Sequence, residues 1–144
     1  MSGAPEGFAG RVTASFDRQA AMRTLGARIV RIAPGAVDIE LPWRDDLTQQ
    51  TGVLHAGIVA AILDSACGYA AMTLMPPDAD VVSVEFKVNL LAPARGERVV
   101  ARAKVKKAGR TLTVCDADAV AISGGEERLV ASMTGTMMRV AALL

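Results

Sequence analysis

The sequence contains few of the residues that build metal sites or disulfide frameworks. Its 144 residues include one histidine and two cysteines, Cys67 and Cys115, which lie far apart in apolar runs. A lone histidine without a CxxC pair excludes the usual zinc sites. The two cysteines predict buried, reduced thiols, with a single disulfide between them as the alternative. We therefore expect no metal and no cofactor.

Aromatic residues and net charge are also scarce. Only 3% of the residues are aromatic although 51% are hydrophobic, so alanine, valine, leucine and methionine must fill the interior. A net charge of +1 creates no field that would attract nucleic acid or an anionic membrane. The first residues lack the basic start and apolar run of a signal peptide, so we expect a cytoplasmic protein.

One segment departs from this charge balance. Between Glu85 and Arg110 there are eight lysines and arginines and two glutamates. Arg102, Lys104 and Lys106 alternate with apolar residues, which is typical of the solvated face of a strand. The same cations could instead form a docking surface for a phosphorylated ligand. The pattern alone leaves both interpretations open.

The hydrophobic pattern predicts one α+β domain. The predicted elements, in chain order, are a short amphipathic helix within Phe8–Leu25, a hairpin of Ala27–Ile32 and Val37–Leu41, a long helix over His55–Leu74, and four strands at Val81–Leu90, Val99–Lys107, Thr111–Ile122 and Leu129–Val140. The first of these four strands alternates strictly, which predicts that Ser83 lies on its polar face with Glu85 and Lys87.

The long apolar helix could in principle be a membrane span. The segment Ala56–Met75 has one charged residue in 20 positions, close to the length that crosses a bilayer. However, the charge, Asp64, lies at its centre, where a carboxylate is costly, and neither end carries an aromatic belt. Its residues are mostly small, so the segment predicts a core helix that a curved sheet, or a second copy of the helix, can approach closely.

Asp64 is the first candidate functional residue. A carboxylate in an apolar setting costs free energy unless it is paired or functional. A desolvated carboxylate is a candidate general base, whereas a partner from the flanking loops would make it structural. The residue pattern alone does not choose between these roles.

The start of the same helix supplies a second candidate feature. Small residues around His55 leave free N–H groups in the first turn, where they and the helix dipole can stabilise an oxyanion. His55 itself can be a structural cap or a base. It precedes Asp64 by nine positions, which is about 900° of rotation and about 13 Å of helix. The two side chains therefore face opposite sides, and two antiparallel copies of the helix would be needed to bring them to one substrate.

These residues together resemble a known family. Gln49, the run His55–Gly57 and Asp64, followed by Val82–Val84 and Leu91–Pro93, resemble the hotdog-fold acyl-CoA thioesterases of the phenylacetate-degradation and 4-hydroxybenzoyl-CoA type. The resemblance implies an α+β hotdog fold, with a curved antiparallel sheet of about six strands around a long central helix. The resemblance covers roughly Leu25 to Val140, so we expect a single thioesterase domain at 25–144, preceded by an N-terminal segment at 1–24 that carries the short helix. It also implies self-association, as a homodimer or dimer of dimers, with sites at the interface.

The resemblance assigns roles to four residues around the helix. Asp64 matches the acidic catalytic residue, which acts as a general base or a nucleophile. Ala56 matches the position whose backbone N–H binds the thioester oxygen; many members have glycine there, and alanine keeps the N–H. Gln49 matches the Asn or Gln that holds the same region, and Gln50 is the neighbouring alternative.

The remaining assignments concern the strand, the turn and the coenzyme. Ser83 matches a strand hydroxyl that can position water, and His55 matches a histidine that orders the helix start. Gly57 is expected to contact substrate. Lys107 and Arg110 are candidates to bind the phosphates of coenzyme A.

The predicted function is hydrolysis of an apolar acyl- or aryl-CoA thioester to the free acid and CoA. One alternative is a hotdog protein that binds acyl-CoA or lipid without catalysis, but a binder needs no desolvated carboxylate. A hotdog hydratase or dehydratase is the other alternative, and it needs a histidine paired with an acid. The one histidine of this chain, His55, lies instead at the helix start.

Overall fold

The computed structural model describes residues 3–142 as one sheet curved around one long helix. The helices are α1 (Phe8–Arg18), α2 (Ala20–Leu25) and α3 (Ala56–Met72), with a short 3-10 turn at Asp45–Leu47. The strands are β1 (Arg28–Ala33), β2 (Ala36–Pro42), β3 (Ala79–Leu90), β4 (Arg98–Ala108), β5 (Leu112–Ser123) and β6 (Glu126–Ala141). All pairings are antiparallel, in the order β1-β2-β4-β5-β6-β3. The predicted hotdog fold is confirmed.

Helix α3 is the core of the molecule. It contacts β2, β3, β4, β5 and β6, and side chains along it, among them Ile62, Leu63 and Ala66, are fully buried. Its many small residues let the sheet wrap close to the helix axis. Pro76 and Pro77 follow its C-terminal end, where proline cannot continue a helix. Among residues 3–142, no helix is both long and apolar enough to cross a membrane.

The N-terminal segment packs along α3. The sequence predicts one short helix there, whereas the structure has two, separated by the extended backbone of Gln19 (φ −79°, ψ 96°). Val12 and Phe16 of α1 are buried. Arg11 donates hydrogen bonds from Nη2 to the carbonyls of Met72 (2.8 Å) and Met75 (2.9 Å). It thereby satisfies carbonyls that the end of a helix leaves free.

Strand β3 contains a bulge that corrects the prediction for Ser83. The register against β6 shifts between Ser83 and Glu85. Val81 and Val88 are seven positions apart, so strict alternation would put them on opposite faces. Both nevertheless pack against the core, because the extra residue at Val84 resets the alternation. The prediction that Ser83 shares the polar face of the strand with Glu85 is wrong. Its side chain faces α3.

The same strand is an edge of the sheet. On its outer side β3 has no neighbouring strand in the order of the described sheet. Val84, Phe86, Leu90 and the following Leu91 are each 43–57% exposed. An edge with unpaired backbone groups and exposed apolar side chains is a site for pairing with another strand.

The two cysteines lie inside the core. Cys67 of α3 and Cys115 of β5 are fully buried and not bonded to each other. The Cys115 thiol donates to the carbonyl of Cys67 over 3.4 Å. The hydrogen bond with Cys115 and burial both raise the pKa of the Cys67 thiol, so it stays protonated and unreactive. The predicted buried, reduced thiols agree with this arrangement.

Candidate active site

Six of the predicted site residues line two separate cavities of one protomer. The first, here called the acid cavity, has a volume of about 330 Å³ and is lined by Ser15, Arg18, Gln19, Asp64, Ser65, Gly68, Tyr69, Asp80, Val81, Val82 and Ser83. The second, the helix-start cavity, has a volume of about 380 Å³ and is lined by Gln49, Gln50, Val53, Leu54, His55, Ala56, Val59, Leu90, Ala92, Pro93, Ala94 and Val130. No residue lines both. The separation agrees with the half-turn between His55 and Asp64.

In the acid cavity, Asp64 is held by Ser83. The Ser83 hydroxyl donates to Asp64 Oδ1 over 2.6 Å, and it also lies 3.4 Å from Met137 Sδ. Asp64 is half-buried, and among the ion pairs of residues 3–142 none involves it. The carboxylate is therefore oriented by a neutral donor and is not neutralised by a cation. A carboxylate in this setting can act as a general base or as a nucleophile.

In the helix-start cavity, the first two N–H groups of α3 differ in whether they have a hydrogen-bond acceptor. His55 caps the helix, because its Nδ1 accepts the N–H of Gly57 over 2.8 Å. The neutral imidazole then carries its proton on Nε2. A Cβ on residue 57 would lie only 3.1 Å from that Nδ1, so glycine lets the ring close over the backbone. The Gly57 N–H is thus occupied, whereas the Ala56 N–H has no acceptor within the described part of the chain.

Gln49 belongs to a loop that is tied down on both sides. Its N–H donates to the carbonyl of Val53 over 2.9 Å, and its Oε1 accepts the Thr51 hydroxyl over 2.7 Å and the Thr51 N–H. Gln49 is half-buried, while Gln50 is exposed, although both line the helix-start cavity. Gln49 is therefore the more firmly held of the two, and its amide nitrogen has no hydrogen-bond partner among residues 3–142.

The two cations predicted to bind CoA lie outside both cavities. Lys107 is exposed near the end of β4. Arg110 lines a third cavity, of about 320 Å³, beside the C-terminal end of α3. Elsewhere in the basic segment, Arg102 forms a two-point ion pair with Glu127. The strand-face interpretation therefore describes that part of the segment, and the CoA role of Lys107 and Arg110 stays a prediction.

Sequence reasoning missed one wall of the acid cavity. Ser15, Arg18 and Gln19 come from α1 and the break after it, and Tyr69 and Asp80 complete that wall. The N-terminal segment carries no motif that would connect it with Asp64. The one available signal is Tyr69, the single tyrosine of the chain, because a phenol on an apolar helix requires a hydrogen-bond partner.

Comparison with known proteins identifies the family. Residues 51–127 match the thioesterase superfamily model. Human acyl-coenzyme A thioesterase 13 is 34% identical over 98 residues, which cover 67% of this chain and 69% of that protein. A relative from Saccharolobus solfataricus is 32% identical over 64% of this chain. The chain spans only about two thirds of the length of these curated relatives, 65% for the Saccharolobus protein.

Solved structures agree with this fold. A crystal structure of a thioesterase family protein from Silicibacter pomeroyi has a TM-score of 0.92 and 56% identity, covering 94% of this chain and all of that one. The PaaI protein of the E. coli phenylacetic acid degradation operon has a TM-score of 0.84 at 19% identity, covering 93% of this chain and 94% of that one. The latter likeness shows the fold alone. By fold and by sequence, this chain belongs to the thioesterase superfamily.

Proposed function

We propose that this protein hydrolyses acyl-CoA thioesters to the free acid and CoA, within the phenylacetate-degradation and 4-hydroxybenzoyl-CoA type of hotdog thioesterases. The observation that carries the proposal is the Asp64 carboxylate, held at 2.6 Å by Ser83 on the wall of a cavity and unneutralised by any ion pair of the described chain. A protein that only binds acyl-CoA gains nothing from such a carboxylate. The acyl group of the proposed substrate is apolar, either aliphatic or aryl.

The complete site requires two protomers. Strand β3 serves both cavities, since Ser83 near one end lines the acid cavity and Leu90 at the other lines the helix-start cavity. They are seven positions apart, which is at most about 24 Å of strand. Antiparallel pairing of two β3 edges about a two-fold axis between Phe86 and Lys87 brings Ser83 opposite the partner's Leu90. Each acid cavity then meets the helix-start cavity of the other protomer.

The same pairing explains the exposed apolar edge. It would cover Val84, Phe86, Leu90 and Leu91, which are exposed in the single protomer, and would satisfy the open backbone groups of β3. The proposed assembly is therefore a homodimer, which could associate further into a dimer of dimers.

The chemistry follows from the groups at the composite site. The thioester carbonyl oxygen accepts the Ala56 N–H and the Gln49 amide of one protomer, which stabilise the charge that develops on that oxygen. Asp64 of the other protomer removes a proton from water as the water attacks the carbonyl carbon. The C–S bond then breaks, and CoA leaves as a thiol after taking up that proton. Alternatively, Asp64 attacks the carbonyl carbon, the C–S bond breaks and CoA leaves as a thiolate that takes up a proton from water; water then cleaves the mixed anhydride to the free acid and restores the Asp64 carboxylate.

The test is release of free thiol from a panel of acyl-CoAs, with Asp64→Asn as the decisive variant. Asparagine keeps an oxygen that can accept from Ser83, so the fold should persist, but it cannot act as a base or nucleophile. We expect kcat to fall by about 100-fold or more. Glu126→Gln, at the exposed turn between β5 and β6, is a matched change from carboxylate to amide and should behave like the natural protein.

Two outcomes would reject the proposal. A folded Asp64→Asn protein with natural rates of hydrolysis would remove Asp64 from the mechanism. Tight binding of acyl-CoA by the natural protein without any thiol release would favour the non-catalytic alternative.

A further inference from the structure

A buried methionine, Met137, lies directly beside the pair formed by Ser83 and Asp64. It is the cross-strand partner of Ser83 in the register of β3 against β6, and it is fully buried. Its Sδ lies 3.4 Å from the Ser83 hydroxyl oxygen. Met137 is not among the residues that line the acid cavity. Any influence that it has on chemistry in that cavity must therefore pass through a neighbouring side chain.

The Ser83 hydroxyl depends on its neighbours for its orientation. Ser83 lines the acid cavity and is exposed in the single protomer, so water can compete for its hydroxyl. A serine side chain has three staggered rotamers, and the one in the structure donates to Asp64 Oδ1 over 2.6 Å. The hydroxyl has one proton, and a thioether sulfur is a much weaker acceptor than a carboxylate. Met137 therefore fills the space beside the hydroxyl without taking its proton from Asp64.

Two glycines make room for this methionine. A Cβ on Gly135 would lie 3.0 Å from Met137 Cε, so the end of the methionine crosses the space that the glycine leaves open. A Cβ on Gly68 would lie 4.0 Å from Met137 Sδ. Gly68 is one helical turn after Asp64 and shares its face of α3. The sulfur thus lies between Ser83 of β3 and the face of α3 that carries the carboxylate.

We propose that Met137 is a positioning residue for hydrolysis: its side chain confines Ser83 to the rotamer whose hydroxyl donates to Asp64. The inference rests on the proposed thioesterase function and deepens it. Because Met137 does not line the cavity, its effect belongs in kcat and leaves KM nearly unchanged.

The test removes the sulfur and measures thiol release from the acyl-CoA that the natural protein cleaves fastest. Met137→Val removes Sδ and Cε and frees Ser83 to adopt other rotamers, so kcat should fall by about fivefold to tenfold. Met137→Leu places a methyl group near the position of Sδ and should keep most of the activity. Met133→Val is the matched control, because Met133 lies on the same strand and is 2% exposed but opposes Val88. It should keep the natural kcat.

A double-mutant cycle separates positioning from general damage to the core. In a Ser83→Ala background there is no hydroxyl to orient, so adding Met137→Val should lower kcat by less than about twofold. A purely structural role would give the same loss with and without the Ser83 hydroxyl. Thermal unfolding of each variant measures stability separately.

Gly135→Ala tests the same idea without truncating the core. The added Cβ crowds Met137 Cε and displaces the side chain, so kcat should again fall. Adding Met137→Leu, which has no atom at the position of Cε, should restore it.

The inference is overturned if Met137→Val and Gly135→Ala both keep the natural kcat, or if the loss caused by Met137→Val is as large in the Ser83→Ala background. If the natural protein releases no thiol from any acyl-CoA, the proposed function itself is refuted, and the inference with it.

Discussion

At the scale of single residues, Ala56 occupies a position where a substitution can remove the backbone N–H without disturbing the helix. It is the first residue of α3, and its N–H has no acceptor within the described chain. His55 before it is extended (φ −59°, ψ 135°), which is the conformation that a following proline demands. Proline is also favoured at the first position of a helix.

We therefore expect Ala56→Pro to keep the fold and lose activity. The substitution deletes the proposed oxyanion donor and leaves the helix start intact, so kcat should fall by about 100-fold to 1,000-fold while the melting temperature changes little. Thiol release and thermal unfolding measure the two effects. Ala56→Gly, which keeps the N–H, is the matched control and should retain most of the activity. Natural rates in Ala56→Pro would mean that another group binds the oxygen.

Single residues also show what sequence reasoning could and could not reach. Asp64 stands out because one charge on an apolar helix is unusual, and helix geometry alone separates it from His55. The resemblance points to Ser83, but strict alternation predicts the wrong face for it, because no sequence rule reveals the bulge at Val84. The sequence assigns no role to Tyr69, because its partner, Ser15, is distant in sequence.

At the scale of elements, α3 and the strands follow directly from the periodicity of the chain, whereas the break between α1 and α2 does not. Neither proline nor glycine marks the break at Gln19, so the pattern reads as one helix. Missing this break also hides part of the candidate site, because Gln19 and its neighbours form a wall of the acid cavity. Local propensity describes elements well and describes the contacts between distant elements poorly.

Gly68 gives a prediction at this scale. Its missing side chain leaves space in the acid cavity, but a glycine inside a helix lowers the stability of that helix. A Cβ there would meet Val81 at 3.9 Å and Met137 at 4.0 Å, both ordinary contacts. Gly68→Ala should therefore stabilise α3 by about 1 kcal/mol, which would raise the melting temperature by about 3 °C. The added methyl narrows the acid cavity, so the ratio of kcat/KM for hexanoyl-CoA to that for acetyl-CoA should fall several-fold.

Gly10→Ala is the control for this change. Gly10 lies on the exposed side of α1 with open space around it, so the variant should gain stability and keep the substrate ratio. If Gly68→Ala is more stable but keeps the natural ratio, the acyl chain does not pass Gly68.

At the scale of the whole molecule, the proposed composite site predicts complementation between two inactive variants. In a mixed dimer of Asp64→Asn and Ala56→Pro chains, one site carries both lesions and the other carries neither. Co-refolding equal amounts makes about half of the dimers mixed, so about a quarter of the natural activity should return. A site contained in one protomer would give no recovery, and thiol release after co-refolding distinguishes the two cases. Each variant refolded alone is the control.

The open edge of β3 has a consequence for how the protein works at different abundances. On the proposed arrangement, a lone protomer holds two half-sites and no whole one. Dilution below the dimer dissociation constant would then silence hydrolysis even though each chain stays folded. Specific activity would rise steeply with protein concentration in that range and level off above it. The cell's supply of this chain would set both the amount of enzyme and the fraction of it that is switched on.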